Sequence, residues 1–169
     1  MLKMNFLKWR TDSALRKNKS LRASLPYKQA KNFGIIFSVE DKQKHLDIKE
    51  FISHLETDGK QVKVLEFLPK KKENYEFLFD FFTIEELSFW GTINSQPAEK
   101  FSETPFDYLF YVDNKSNPLV LNLLARCKAR CRVGKFSEIE SPFFELMIES
   151  KGTTKGLLDN MYKYTKQLK

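Results

Sequence analysis

Three polar stretches of this 169-residue chain carry side chains suited to chemistry: Glu40-Asp41, Asp113-Asn114-Lys115-Ser116-Asn117 and Lys151-Gly152-Thr153-Thr154-Lys155. Each sits at the carboxyl end of an apolar run, where ligands bind in an open α/β sheet. The last two also precede helical segments, whose free N–H groups and dipole favour anions. Asp113, Asn114, Lys115, Ser116, Lys151, Thr153 and Thr154 are therefore the candidate ligand-loop residues, and a phosphate is the group they would suit. The same residues have a plainer role. Asn117 at an N-cap with Pro118 at the first helical position begins any helix well, and Thr153 or Thr154 does the same for the last one. Capping is the preferred reading. None of the six glycines falls in a G-x-G-x-x-G or G-x-x-x-x-G-K-[ST] pattern, so a dinucleotide or triphosphate has no evident cradle and no cofactor is expected.

Other reactive residue types are poorly placed. Cys127 and Cys131 lack the further ligands that a zinc ion requires, because His45 and His54 are remote in sequence. They read as small core side chains flanking a helix–strand turn, with no metal and no disulfide framework. Neither histidine is positioned as the base that a nucleophilic cysteine would need. His54 shares a helix face with Asp47 and Glu50 and reads as solvated. No catalytic residue emerges.

Charge is the stronger signal. Residues 1–31 hold nine Lys or Arg against one acid, Asp12, a surplus of +8, whereas the whole chain carries +7. The basicity belongs to an N-terminal arm. Lys3, Lys8, Arg10, Arg16, Lys17, Lys19 and Arg22 of that arm form the candidate polyanion-binding set, with Arg126, Lys128, Arg130 and Arg132 from a second run free of acids. Cations at this density attract polyanions through counterion release. With Phe6 and Trp9 on the same segment, the arm is expected to lie along RNA, for example in the ribosome. Contact with an anionic membrane surface is the less favoured alternative, and a protein partner stays open.

The elements that must position these residues follow from periodicity. Residues 3–22 read as a basic helix ended by Pro26. FGIIFSV (33–39) is a buried strand; Ile48, Phe51, Ile52 and Leu55 mark a helix closed by Gly59; QVKVLEFL (61–68) is a second strand. A second strand–helix–strand unit is FDYLFYVD, NPLVLNLLARCK and ARCRVGK, followed by a strand at 143–149 and a C-terminal helix. Between them, YEFLFDFF is ambiguous, and Thr83 with Glu86 predicts a capping box opening a short helix over 84–89. The expectation is a Rossmann-like α/β three-layer sandwich with a mostly parallel sheet, residues 32–169, preceded by the basic arm 1–31. No window is apolar for the ~18 residues that a membrane span needs. The start MLKMNFLKWRTD shows no export signal, so the cytoplasm is the expected location.

The stretch FDYLFYVDNKSNPLVLNLLARCKARCRVGKF (106–136) resembles a segment of a small bacterial family of uncharacterised proteins, filed as a domain of unknown function. More distantly, it is similar to the N-terminal half of heptosyltransferase-type glycosyltransferases, whose R-[IV]-G turn is matched by Arg132-Val133-Gly134. Those enzymes bind the nucleotide-sugar donor mainly through a second Rossmann domain. The resemblance therefore implies the fold, and a degenerate transferase or nucleotide- or phosphate-binding domain only as an alternative. It carries no catalytic residue onto this chain. The leading expectation is a non-enzymatic RNA-associated binding protein.

Overall fold

Along β1 (Asn32–Ser38), Phe33, Ile35 and Phe37 alternate with Gly34 and Ile36, and all five are buried. A strand apolar on both faces must be covered on both sides, which parallel sheets achieve. In the computed structural model, which describes residues 1–75 and 78–169, β1 lies at the centre of a six-stranded sheet. The other strands are β2 (Gln61–Phe67), β3 (Asp80–Phe82), β4 (Phe106–Tyr111), β5 (Ala129–Lys135) and β6 (Leu146–Ile148). Their order is β3-β2-β1-β4-β5-β6 and every pairing is parallel. The chain runs outward through β2 and β3, returns, and runs outward the other way through β5 and β6. Its direction reverses between β1 and β4.

Helices cover the two faces. Phe33, Ile35, Phe37, Tyr108 and Phe110 pack with Ile48, Phe51 and Leu55 of α2 (Lys42–Thr57) and Leu157, Leu158 and Met161 of α5 (Thr154–Thr165). On the other face, Ile36, Leu65 and Leu109 meet Leu7 of α1 (Leu2–Lys17), Phe101 of α3 (Gln96–Glu103) and Val120, Leu123 and Leu124 of α4 (Pro118–Arg126). The two strand–helix–strand units are present as read.

The middle and the edges differ from the sequence expectations. The helix expected over 84–89 is a single 3-10 turn, Ile84–Glu86. The Thr83–Glu86 capping box is formed, but the chain then doubles back and Leu87 bridges Ile93. α3 was not anticipated. Ser95 caps it through the Ala98 N–H, and Pro97 occupies its first turn. Of YEFLFDFF, Asp80–Phe82 forms edge strand β3, while residues 76 and 77 lie outside the described residues. The last strand is shorter than 143–149, because Ser141–Phe143 form a 3-10 turn before it.

The basic helix α1 ends at Lys17, and a 3-10 turn at Lys19–Leu21 follows. It is packed on α4: Leu7 and Thr11 are buried, and the Asn122 amide donates to the Thr11 hydroxyl at 3.0 Å. Asn18 donates to the carbonyls of Ala125 and Arg126 at 3.0 and 3.3 Å, satisfying acceptors that the end of α4 leaves free. Residues 22–31 then cross beneath the amino ends of β4 and β5. The Ala23 N–H donates to the Arg130 carbonyl, the Tyr108 phenol donates to the Leu25 carbonyl, and Tyr27 and Ala30 enter the core beside α2. The phenols of Tyr27 and Tyr162 both donate to one oxygen of Asp58, at 2.7 Å each, joining this crossing segment to α2 and α5.

Gly91 makes the tightest contact on α1. Its φ of 73° is in the left-handed region, and a Cβ placed there would lie 2.4 Å from the Leu7 backbone nitrogen. Gly91→Ala is expected to cost on the order of 2–4 kcal/mol, from backbone strain together with displacement of α1. Urea unfolding of the variant checks this, and an unchanged midpoint would contradict it.

Candidate functional site

The reversal between β1 and β4 opens a crevice at the carboxyl ends of these strands, where Rossmann-type sheets bind their ligands. Here Lys44, on the first turn of α2, reaches into it. Its ammonium donates to the Ser38 carbonyl at 2.7 Å, to Asp113 Oδ1 at 2.7 Å and to Glu40 Oε1 at 3.1 Å, so all three protons are used. Asp113, just beyond β4, also accepts from the Ser38 N–H and hydroxyl, both at 2.8 Å. Asn117 donates to the same hydroxyl at 3.0 Å while its carbonyl oxygen caps α4 through the Leu119 N–H. The Lys44 and Asp113 side chains are each only 2% exposed. Burying two charges is favourable only when their remaining hydrogen-bonding capacity is met, and here it is met internally. The start of α2 is likewise engaged: Asp41 accepts from the Lys44 N–H, and the Glu40 carboxylate stands beside it. An incoming phosphate would face the carboxylates of Glu40, Asp41 and Asp113 and a Lys44 ammonium whose protons are already used.

A second buried pair lies next to the first. His45 Nε2 sits 2.8 Å from Glu66 Oε2, both side chains fully buried, with the rings of Phe37, Tyr75 and Phe79 around the imidazole. Burial pushes the Glu66 carboxyl up, and its Oε1 finds no hydrogen-bond partner among the described residues. Sequence reading missed this pair. Its only trace was a glutamate in the buried half of QVKVLEF.

The remaining candidate loops are caps and surface. Asn114 is half-buried, and Lys115 and Ser116 are exposed. Thr153 caps α5 by accepting from the Gly156 N–H at 3.0 Å, while Lys151 is exposed and Thr154 half-buried. Lys151 and Thr153 border a groove of about 1130 Å³ beside edge strand β6, together with Phe136, Leu146, Ile148 and Asn160. Cys127 and Cys131 are free and buried, and burial pushes both thiols up to about 12. Among the described residues, no cluster of three or more potential metal ligands exists.

The basic residues divide. Lys8, Arg10, Arg16, Lys17 and Lys19 are exposed and Lys3 is half-buried. Arg22 pairs with Glu145, Arg126 with Glu99 at 2.7 Å and Lys128 with Glu103 at 2.5 Å, while Arg130 is exposed. Arg132, grouped above with the surface cations, is fully buried and cannot meet a polyanion. It points the same way along β5 as Arg130, but the end of α4 closes over it, and its Nη2 donates to the Cys127 carbonyl at 2.8 Å. A cation there suits the negative end of the helix dipole. Burial lowers its guanidinium to about 10, and its Nε and Nη1 have no partner among the described residues.

Beside the α1 cations stand exposed rings: Trp9 at 62%, Trp90 at 61% and Phe89 at 54%. Sequence reading placed Phe89 at the end of a short helix and gave it no role at the surface. A groove of about 400 Å³ runs between α1 and the α3–α4 layer, bordered by Trp9, Arg10, Lys17, Thr92, Arg126 and Lys128.

Lys44→Met strands the Asp113 carboxylate and is expected to destabilise the fold by about 3–5 kcal/mol, whereas adding Asp113→Leu restores much of the loss. Chemical denaturation of the single and double variants reads this directly.

A search of curated proteins found no match to the sequence. A family model, described as a family of unknown function (DUF6913), matches residues 3–168 and so runs across the boundary at residue 31. With nearly its whole length matched, α1 included, the chain belongs to that family.

Proposed function

We propose that the protein is a cytoplasmic, non-enzymatic binding module whose ligand is RNA, ribosomal RNA included, taken on the outer surface of α1. The observation that carries this reading is the state of the switch-point crevice. The place where such a sheet binds small ligands is filled by Lys44, Asp113, Ser38 and Asn117, which satisfy one another. The surface of α1 is the opposite case. Lys8, Arg16, Lys17 and Lys19 are exposed and have no carboxylate partner among the described residues. Packing on α4 holds these cations in a fixed array, which lowers the ordering cost of binding.

A second reading, a small phosphate-bearing ligand, is favoured by the groove that borders Lys151 and Thr153. Two variants separate them. Replacing Lys8, Arg16 and Lys17 together by Glu is expected to abolish RNA retention by the full chain. Wild-type affinity should fall steeply with salt, by about tenfold or more between 50 and 200 mM. Lys151→Glu should leave RNA binding unchanged. RNA affinity that is indifferent to the α1 substitutions would overturn the proposal. A thermal shift with inorganic phosphate that Lys151→Glu removes would favour the groove.

A further inference from the structure

Phe89 and Trp90 sit exposed at the tip of a tightly bonded turn. Leu87 bridges Ile93, the Ser88 N–H donates to the Thr92 carbonyl at 2.8 Å, the Gly91 N–H donates to the Ser88 carbonyl at 3.1 Å, and the Thr92 N–H donates to the Ser88 hydroxyl at 3.0 Å. The turn is pressed onto α1 at Gly91 and fastened by Arg10, whose Nε donates to the Trp90 carbonyl at 2.8 Å. The two rings meet edge-on at 5.1 Å, and Phe6 of α1 packs 6.2 Å from Phe89 and 5.3 Å from Trp90. Trp9 follows Phe6 by one helical turn and is also exposed. Exposed apolar side chains are ordinarily scattered. Phe89 and Trp90 are gathered against Phe6 and held by Arg10, with Trp9 one turn further along the same helix.

Charge indicates what covers them. Lys8, Arg10 and Lys17 lie on the same helix, so the complement is an anion that also offers apolar faces. The adjoining groove is lined by Ser13, Asn18, Ser102 and Asn122, a polar surface that a bilayer interior would not tolerate. Unpaired bases on a phosphate backbone have both properties, whereas a duplex keeps its base faces inside the stack. We infer that Trp9, Phe89 and Trp90 form a base-stacking platform for single-stranded RNA. The inference rests on the RNA reading above, and it adds the strand state of the ligand and three aromatic residues outside the basic set.

Trp9 and Trp90 are the only tryptophans in the chain, so tryptophan emission, excited where the six tyrosines do not absorb, reports on these two side chains. The full chain is titrated with an oligouridylate of about ten nucleotides, with a duplex RNA of equal charge, with heparin and with anionic phospholipid vesicles. The expected result is strong quenching by oligouridylate and weak or no quenching by duplex and heparin. Trp90→Ala and Phe89→Ala should each weaken oligouridylate binding about fivefold or more, leaving the salt slope and heparin affinity as in the wild type. Both side chains are more than half exposed, so the variants should keep the wild-type melting temperature. Equal binding and quenching by duplex, or wild-type affinity in both variants, overturns the stacking platform and leaves the RNA reading standing. No binding of any nucleic acid at low salt overturns both. Tight vesicle binding without RNA binding assigns the rings to a membrane surface. A fluorescence change on dilution alone assigns them to a second copy of the chain.

Discussion

The ion pair between Lys44 and Asp113 ties together the parts of the fold that would otherwise separate to admit a ligand. Lys44 is on the first turn of α2, Asp113 just beyond β4, and Ser38 at the end of β1 bonds to both. The closure joins the two halves of the sheet where the strand order reverses. A buried pair with every bond made has no reason to open for a substrate, and an anion arriving there would have to displace Asp113 from Lys44 at a cost of several kcal/mol. The same chemistry that stabilises the domain removes its usual binding site.

On the face of the sheet formed by Ile36, Leu65 and Leu109, α1 packs over α4 and presents its other side outward. The helix has little apolar content to hold it, so polar contacts at its edges fix its position. Thr11 meets Asn122, Asn18 caps α4, and Gly91 allows the Ser88–Thr92 turn to lie directly on its backbone. These contacts use the inner face alone. On the outer face, Arg10 holds the Trp90 carbonyl and Phe6 packs on Phe89 and Trp90, whereas Lys8, Arg16, Lys17 and Lys19 make no ion pair among the described residues.

Much of the architecture was legible because it rests on local patterns. Phe33 to Phe37 and Tyr108 to Tyr111 announce buried strands, and Ile48, Phe51 and Leu55 announce the helix between strands. Gly59, Asn117 with Pro118, and Thr153 mark helix ends through their own backbone chemistry. The failures were non-local. Lys44 and Asp113 are 69 residues apart, and nothing near either names the other. Arg132 looks like its neighbours Arg126, Lys128 and Arg130 until α4 is seen to cover it. Phe89 and Trp90 follow a genuine capping box, from which the sequence reads a short helix over 84–89 ended by Gly91. The chain reverses after a single 3-10 turn and leaves them outside.

The central claim is that this Rossmann-like sheet is closed at its switch point and binds RNA from the side, on α1. Backbone NMR of the full chain with added oligouridylate locates the contact directly. The account predicts shifts along Trp9 to Lys17 and at the Ser88–Thr92 turn, with Ser38, Lys44 and Asp113 unmoved. Shifts centred on Ser38, Lys44 and Asp113, with α1 silent, would contradict it.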